Sequence, residues 1–457
     1  MTTLTDRRDP AAARPGRRSH TLTEWRPEDP EFWAATGART AARNLVHSVL
    51  TEHIGFSVWS LWSVLVLFLG PEYGLDPARK FTLTALPTAL GAVLRLPYTF
   101  AVARFGGRNW TVFSALLLLL PTGLAGVLLH PGASYGTLLV LACVSGVGGG
   151  NFASSMANIN AFYPQRLKGW ALGVNAGGGN LGVPVVQLVG LLVLATAGAA
   201  HPRVLLLVYL PLIVASALAA WLRMDNLRVG GAATAGDGWR DLGEVARHGH
   251  SWALSALYTG TFGSFIGFGF AFGQVLQVQF ADRFDTPVRA AYLTFLGPLL
   301  GSLTRPVGGR LADRWGGARV TLGTFLAMAA GAALVLTASR SGSLPLFMVG
   351  FVALFLFSGV GNGSTYKMIP AVQQAAARAA VAAGALAPGA AEETARRRTT
   401  ALIGLAGAIG AFGGVLVNAA FRQSFLTAGT GDLAYAAFLA AYAVCAALTW
   451  ALYVRRR

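Results

Sequence analysis

The chain has 457 residues, 54% of them hydrophobic and only 12% charged, with a formal charge of +17. A soluble domain runs near a quarter charged, so this much apolar surface excludes intrinsic disorder and points to a polytopic helical membrane protein. Two cysteines in apolar runs, Cys143 and Cys445, exclude a disulfide scaffold, and long unbroken apolar stretches exclude an outer-membrane barrel. The positive charge does not make a nucleic-acid binder. Of 36 basic residues 33 are Arg, and most lie in short segments between apolar runs rather than on one face of a soluble domain.

In chain order, residues 1–42 are polar, with prolines at 10, 15, 27 and 30 and arginines at 7, 8, 14, 17, 18, 26 and 39. No short apolar core with a small-residue cleavage site follows, so the segment reads as a cytoplasmic tail and not a signal peptide. Apolar spans follow at 43–70, 81–103, 109–130, 136–160, 169–196 and 203–223, and again at 251–280, 288–312, 318–339, 345–371, 399–424 and 431–454. The expected fold is an all-α membrane protein with twelve transmembrane helices. They form two six-helix pseudo-repeat bundles, 43–223 and 251–454, joined by a cytoplasmic linker 224–250 and ended by the basic 455–457. The Ala-rich loop 372–398 reads as a solvated connector.

An even number of spans puts both termini on one side. With that side taken as the cytoplasm, seven of the 36 Lys and Arg fall on outer loops (Arg79, Lys80, Arg203, Arg283, Arg289, Arg340, Arg422) and three fall within spans. The rest lie inside, as the positive-inside rule requires. The Ala, Gly and Arg bias suggests a bacterium. The expected setting is therefore the lipid bilayer of a bacterial inner membrane, and the expected unit a monomer.

The halves repeat. Arg104-Phe105-Gly106-Gly107-Arg108 follows the second span, and Asp313-Arg314-Trp315-Gly316-Gly317-Ala318-Arg319 follows the eighth, with the Gly pairs 210 residues apart. Gly146-Val147-Gly148 and Gly359-Val360-Gly361 lie 213 apart. Parallel halves imply a central pathway with alternating access around it. The Gly309 to Gly317 stretch resembles the loop signature of the major facilitator superfamily, although the first half has Ala103 where the acid should be. Loop contacts at Arg104, Asp313 and Arg314 are expected to hold the cytoplasmic face in one state.

The three cations within spans are Arg95, Arg305 and Lys367. Arg95 lies 11 residues before Gly106 and Arg305 lies 11 before Gly316, so the two are symmetry-equivalent. By helical rise each sits roughly 12 Å inside its span's cytoplasmic end, near the bilayer midplane. Burying a guanidinium there costs about 2.5–3.5 kcal/mol on insertion scales. Glu52 is the one acid well inside a span and neutralises one arginine at most, so the interior favours a small anion, and Arg's fork favours a planar oxyanion. Lys367, near the end of its span, reads equally as a snorkelling side chain. Seven scattered His, with no HExxH and no paired interior carboxylates, argue against an enzyme, a metal site or a cofactor.

Two Gly-rich stretches carry a closer likeness. Gly146 through Ile159 includes Asn151-Phe152 and Asn158, and Gly173 through Val183 includes Asn175 and Asn180. These are similar to the paired nitrate signatures of the nitrate/nitrite porter family, the NarK-like branch of the major facilitator superfamily. Leu94-Arg95-Leu96-Pro97-Tyr98, Tyr258, Thr261 through Phe268, and Gly361 through Ile369 fit it as well, from about Arg43 to the end of the chain. The resemblance implies nitrate or nitrite as substrate. Arg95 and Arg305 would clamp the anion, Phe152 and Phe262 would sandwich it, Tyr258 would donate a hydrogen bond, and Asn175 would be a nearby polar contact.

His47-Ser48-Val49-Leu50-Thr51-Glu52-His53 places titratable groups inside the first span. Glu52 or His53 is a candidate proton carrier, giving nitrate/proton symport. Otherwise Glu52 is a fixed counter-ion and the carrier exchanges nitrate for nitrite.

Overall fold

The computed structural model describes residues 20–228 and 235–455. The arginines expected in the tail at 7, 8, 14, 17 and 18 and the last two residues of the basic end lie outside the described residues. Backbone in hydrocarbon has to satisfy its own N–H and C=O groups, so the apolar stretches are helices.

Eleven helices among the described residues are long and apolar enough to cross a membrane. They are α1 (Pro30–Phe68), α2 (Pro77–Phe105), α3 (Gly107–Leu128), α4 (Tyr135–Phe162), α5 (Gln165–Thr196), α6 (Pro202–Arg223), α7 (Gly249–Gln279), α9 (Gly317–Ser341), α10 (Leu344–Ala382), α11 (Pro388–Ala428) and α12 (Asp432–Val454). The remaining crossing, α8, runs as two pieces, Pro287–Thr294 and Leu296–Trp315. Pro298 has no amide hydrogen to give the Thr294 carbonyl, so the ladder breaks there. Arg305, Arg310, Asp313 and Arg314 make this segment too charged to rank as a crossing by composition.

Three expected boundaries change. The first helix starts at Pro30, not near residue 43. The Asp29 side chain accepts from the Glu31 and Phe32 amides, Pro30 sits at the first helical position, and Trp33 and Ala41 are buried along the new turns. The 372–398 connector is mostly helix: α10 continues to Ala382 and α11 begins at Pro388, because Ala is the strongest helix former. The 224–250 linker holds a helix, Ala235–Ala246. It also holds a short strand β2 (Asn226–Leu227), which pairs in parallel with β1 (Thr21–Leu22) of the segment before α1.

The repeat is visible in the backbone. Gly106 and Gly316 each have φ of 87°, a region that favours glycine, and each turns its chain directly into the next helix. Glycine also sets how closely helices approach. A Cβ on Gly263 of α7 would come within 2.8 Å of the Gly413 Cα on α11.

The end of the bundle that carries Gly106, Gly316 and both described chain ends is the near end. At the far end the halves are joined by side-chain hydrogen bonds. Thr84 donates to Asn418 at 2.7 Å, Gln187 to the Gly269 carbonyl at 2.8 Å and Gln274 to the Pro77 carbonyl at 2.6 Å. Phe81 stacks between Phe421 and Phe425 at 5.9 and 5.5 Å. At the near end the linker helix spans both halves. Its Trp239 meets Phe100 of α2 at 5.0 Å, and its Glu244 pairs with Arg398 of α11 at 3.2 Å. Side-chain contacts therefore link the halves at both ends.

Candidate functional site

Arg95 on α2 is fully buried, at 0% exposure. Its Nε donates to the Gly149 carbonyl of α4 at 3.2 Å, and its Nη1 reaches across to the Gly407 carbonyl of α11 at 3.1 Å. Both acceptors belong to glycines, so no side chain stands between guanidinium and carbonyl. The third nitrogen, Nη2, is buried with no hydrogen-bond partner. Arg305 on α8 is 3% exposed. Its Nη2 donates to the Tyr258 hydroxyl at 3.2 Å, and its Nη1 is buried without a partner. Among the described residues no carboxylate lies within 4.0 Å of either guanidinium. Two buried cations, each with a guanidinium nitrogen that has no hydrogen-bond partner, leave this site short of an acceptor.

The walls are aromatic and come from both halves. Phe152 of α4 and Phe262 of α7 face each other at 5.9 Å with 27° between the rings. Tyr258 stacks on Phe262 at 5.1 Å and 3°, one turn earlier, where α7 loosens into a π-turn over Thr259–Gly263. The Arg95 guanidinium carbon lies 4.6 Å from the Phe152 ring centre and 4.7 Å from that of Phe262. That of Arg305 lies 5.5 and 5.9 Å from the same two rings. Both arginines thus flank one aromatic pair, and the symmetry seen in the spacing becomes a single site.

Glu52 of α1 is 1% exposed. Its Oε2 accepts from Asn175 Nδ2 at 2.7 Å, and the same amide nitrogen lies 2.6 Å from Ser155 Oγ. Glu52 Oε1 and Asn175 Oδ1 are both buried acceptors without a donor. Asn175 therefore holds Glu52 and Ser155, and not the arginines or the facing rings. His53, one residue on, turns to the Gly178 carbonyl at 3.2 Å.

The sequence profile of the Major Facilitator Superfamily matches residues 53–414. The chain belongs to that superfamily. Within it, the chain is 38% identical over 460 residues to the nitrate/nitrite transporter NarU of Salmonella typhimurium, covering 95% of this chain and 96% of that protein. It is 39% identical over 456 residues to NarU of Escherichia coli K12, with the same coverage. Thermus thermophilus has a relative named "Probable nitrate/nitrite antiporter NarK2", 35% identical over 376 residues, which cover 77% of this chain and 82% of that one. These relatives put the chain in the NarK-like branch, as a multi-pass membrane transporter and not an enzyme. Solved structures share the fold. A bacterial homologue of the human lysosomal transporter Spinster, inward-facing and occupied, superposes with a TM-score of 0.62 at 16% identity over 90% of this chain and 96% of that one. The nucleoside transporter NupG gives 0.59 at 14% identity, over 90% and 99%.

The superfamily loop residues are exposed at the near end. Asp313 pairs with Lys367, so Lys367 lies at the near end and outside the arginine site. Arg104 and Arg314 lie over their own neighbours, Phe105 at 5.5 Å and Trp315 at 6.0 Å. Neither makes an ion pair among the described residues, so the expected contacts across the near face reduce to the Asp313–Lys367 pair within the second half.

Sequence reasoning missed four parts of the site. Trp59 lies 5.4 Å from the Arg95 guanidinium, and its position seven residues after Glu52, on the same face of α1, was a signal. Tyr366 lies 5.8 Å from that of Arg305, inside a stretch already singled out by its motif. Ser155 sits beside Asn175. The Gly407 carbonyl is a backbone acceptor, which leaves no mark in a side-chain pattern.

Proposed function

We propose that this chain carries nitrate and nitrite across a bacterial cytoplasmic membrane by alternating access, with its near end in the cytoplasm and a proton on Glu52 accompanying nitrate inward. One observation carries the anion reading. Arg95 and Arg305 each keep a buried guanidinium nitrogen without a partner, with no carboxylate within 4.0 Å among the described residues, beside aromatic faces that suit a flat, singly charged oxyanion. The names of the NarU relatives support the substrate. The concentration of Lys and Arg at the near end supports the orientation.

The geometry suggests how binding moves the halves. A planar anion between two rings needs about 7 Å, twice a carbon contact distance. The rings stand 5.9 Å apart, so an entering anion parts them by at least about 1 Å, and each ring belongs to a different half. Anion N–H···O bonds of about 1.5–3 kcal/mol each offset that parting and screen the two like charges. The Arg95–Gly407 bond crosses the same seam and breaks when α2 and α11 separate.

Charge balance favours symport. With Glu52 ionised, the empty pocket carries one net positive charge. With one nitrate and one proton bound it carries the same, so the forms that cross are matched. Nitrate alone moving inward against an inside-negative potential costs about 2.3 kcal/mol per 100 mV, and the proton cancels this. The orphan acceptors Glu52 Oε1 and Asn175 Oδ1 are what a protonated carboxyl would satisfy. The second reading, obligate nitrate/nitrite exchange, is favoured by the name of the Thermus relative and by the repulsion an empty pocket feels.

Purified protein in proteoliposomes separates these. Symport requires nitrate uptake into nitrite-free vesicles driven by an inward proton gradient, and uptake that occurs only with internal nitrite sinks it. Phosphate should not compete, whereas nitrite and chlorate should.

Tyr258→Phe tests the pocket itself. It removes the acceptor of Arg305 Nη2 and keeps the ring stack, so nitrate affinity is expected to drop about ten-fold with folding intact. Wild-type affinity in a titration of this variant would remove Tyr258 from the site.

A further inference from the structure

Glu52 needs a way to lose its proton on the inner side that does not depend on the nitrate path. The near half of α1 carries polar residues at helical spacing on one face: Asn44, Ser48 and Glu52, each four residues from the next and each buried to 1% exposure or less. Buried polar side chains on an apolar helix are hydrogen-bonded unless something else visits them. Ser48 Oγ is an exception, as are Glu52 Oε1 and, one residue before Ser48, His47 Nδ1: all three are buried without partners.

The lower end of this face is anchored to charge. Asn44 Nδ2 donates to Asp225 Oδ2 at 3.0 Å, and the Asp225 amide returns a bond to Asn44 Oδ1 at 2.9 Å. Asp225 also pairs with Arg43. His20 Nδ1 donates to the Met224 carbonyl at 2.9 Å and lies 3.8 Å from Asp225 Oδ1, and its side chain is 26% exposed, so this end of the face opens to solvent. From Asn44 to Glu52 the helical rise is about 12 Å, short enough for the two intervening gaps to hold one water each.

The far half of α1 is built the other way. Its serines are consumed by backbone carbonyls: Ser57 by Gly182 at 3.0 Å, Ser60 by Phe56 at 2.7 Å and Ser63 by Ser60 at 2.7 Å. Phe56, Trp59 and Trp62 fill the space above Glu52 with fully buried rings. Unused hydroxyl capacity on this helix lies on the near side of Glu52.

We infer that the Asn44–Ser48–Glu52 face of α1 is the proton exit of the transporter, with Ser48 as its relay. The Glu52 carboxyl gives its proton to a water. The Ser48 hydroxyl accepts one proton from that water and passes its own to a second water beside Asp225. One proton reaches the cytosol from that second water, at the solvent-exposed edge beside Asp225 and His20, and Glu52 is left as carboxylate. The groups that face this route are Arg95 and Arg305 around Glu52, and His47, Arg43, Arg223, Asp225 and His20 at its lower end. The arginines at both ends repel a stationary proton and favour its release once nitrate has left. Asn44 and Arg43 position Asp225, and nitrate itself touches none of Asn44, Arg43, Ser48, Asp225 and His20.

The inference rests on the proton reading of Glu52, and the test separates the two. Proteoliposomes containing wild type, Ser48→Ala, Ser48→Thr and Glu52→Gln are assayed for nitrate uptake under an inward proton gradient and for nitrate/nitrite exchange without one. Ser48→Ala is expected to lower the ratio of gradient-driven uptake to exchange about ten-fold, and Ser48→Thr, which restores a hydroxyl, to recover it. A Ser48→Ala ratio within two-fold of wild type, beside a Glu52→Gln variant that has lost gradient-driven uptake, overturns the exit and leaves the Glu52 reading standing. Loss of both activities in Ser48→Ala also overturns it, because Ser48 would then serve the carrier as a whole. Full gradient-driven uptake in Glu52→Gln overturns the proton reading, and the exit with it.

Discussion

Arg95→Lys is expected to weaken nitrate binding and transport by at least ~100-fold, although the charge is kept. Arg95 spends two of its nitrogens on protein: Nε on Gly149 and Nη1 on Gly407. Only Nη2 is left for a guest. An ammonium is a single point of charge and cannot hold two carbonyls on two different helices while also facing the pocket. Leaving one or both carbonyls dry costs about 1–3 kcal/mol each, and the lost anion contact adds about 1.5–3 kcal/mol. At 1.4 kcal/mol per factor of ten, about 3 kcal/mol gives the stated loss. Nitrate titration of purified protein measures the affinity, and counterflow in vesicles measures transport. Arg305→Lys is expected to cost less, since Arg305 has one protein partner, the Tyr258 hydroxyl. Wild-type affinity in the Arg95 variant would mean that the fork does not hold the anion.

Glu52→Gln is expected to abolish proton-driven nitrate uptake while some exchange of nitrate for nitrite survives. The change is nearly isosteric. The Gln carbonyl still accepts from Asn175 Nδ2, and its amide nitrogen supplies the donor that Asn175 Oδ1 lacks. Folding should therefore hold. What disappears is the group that takes up and gives up a proton. Without the carboxylate the empty pocket carries two net positive charges, so nitrate should bind more tightly and leave more slowly, and exchange should slow without stopping. A titration and the two flux assays read all three effects. Persistent uptake under a proton gradient alone would mean that Glu52 does not carry the proton.

The arginine pair could be read in the sequence because burying charge in a membrane is costly enough to be rare, and because the same 11-residue distance to a Gly pair occurs twice. The turn behind that spacing is identical in both halves, with φ of 87° at Gly106 and Gly316. The start of α1 is also written in the sequence, as Asp29 followed by Pro30 and Glu31, but these are capping signals and not apolar ones. The break in α8 follows from Pro298. Asn175 was harder. An amide inside a span needs a partner, but nothing local says whether that partner is an anion or, as here, a carboxylate 123 residues away.

Sequence alone determined that this chain spans a membrane as two related bundles, that each carries one arginine at a matching position within a span, and that a single carboxyl accompanies them. Composition, period and repeat carry those facts because they depend on residue type and spacing. Only the tertiary structure decided that both guanidinium groups meet over one aromatic pair, that Arg95 is tied to backbone carbonyls on each side of the seam, and that Glu52 lies with Asn175 and out of ion-pair reach of either arginine. Those outcomes depend on which helices touch. Backbone acceptors and contacts between distant helices have no side-chain spacing by which a sequence could announce them.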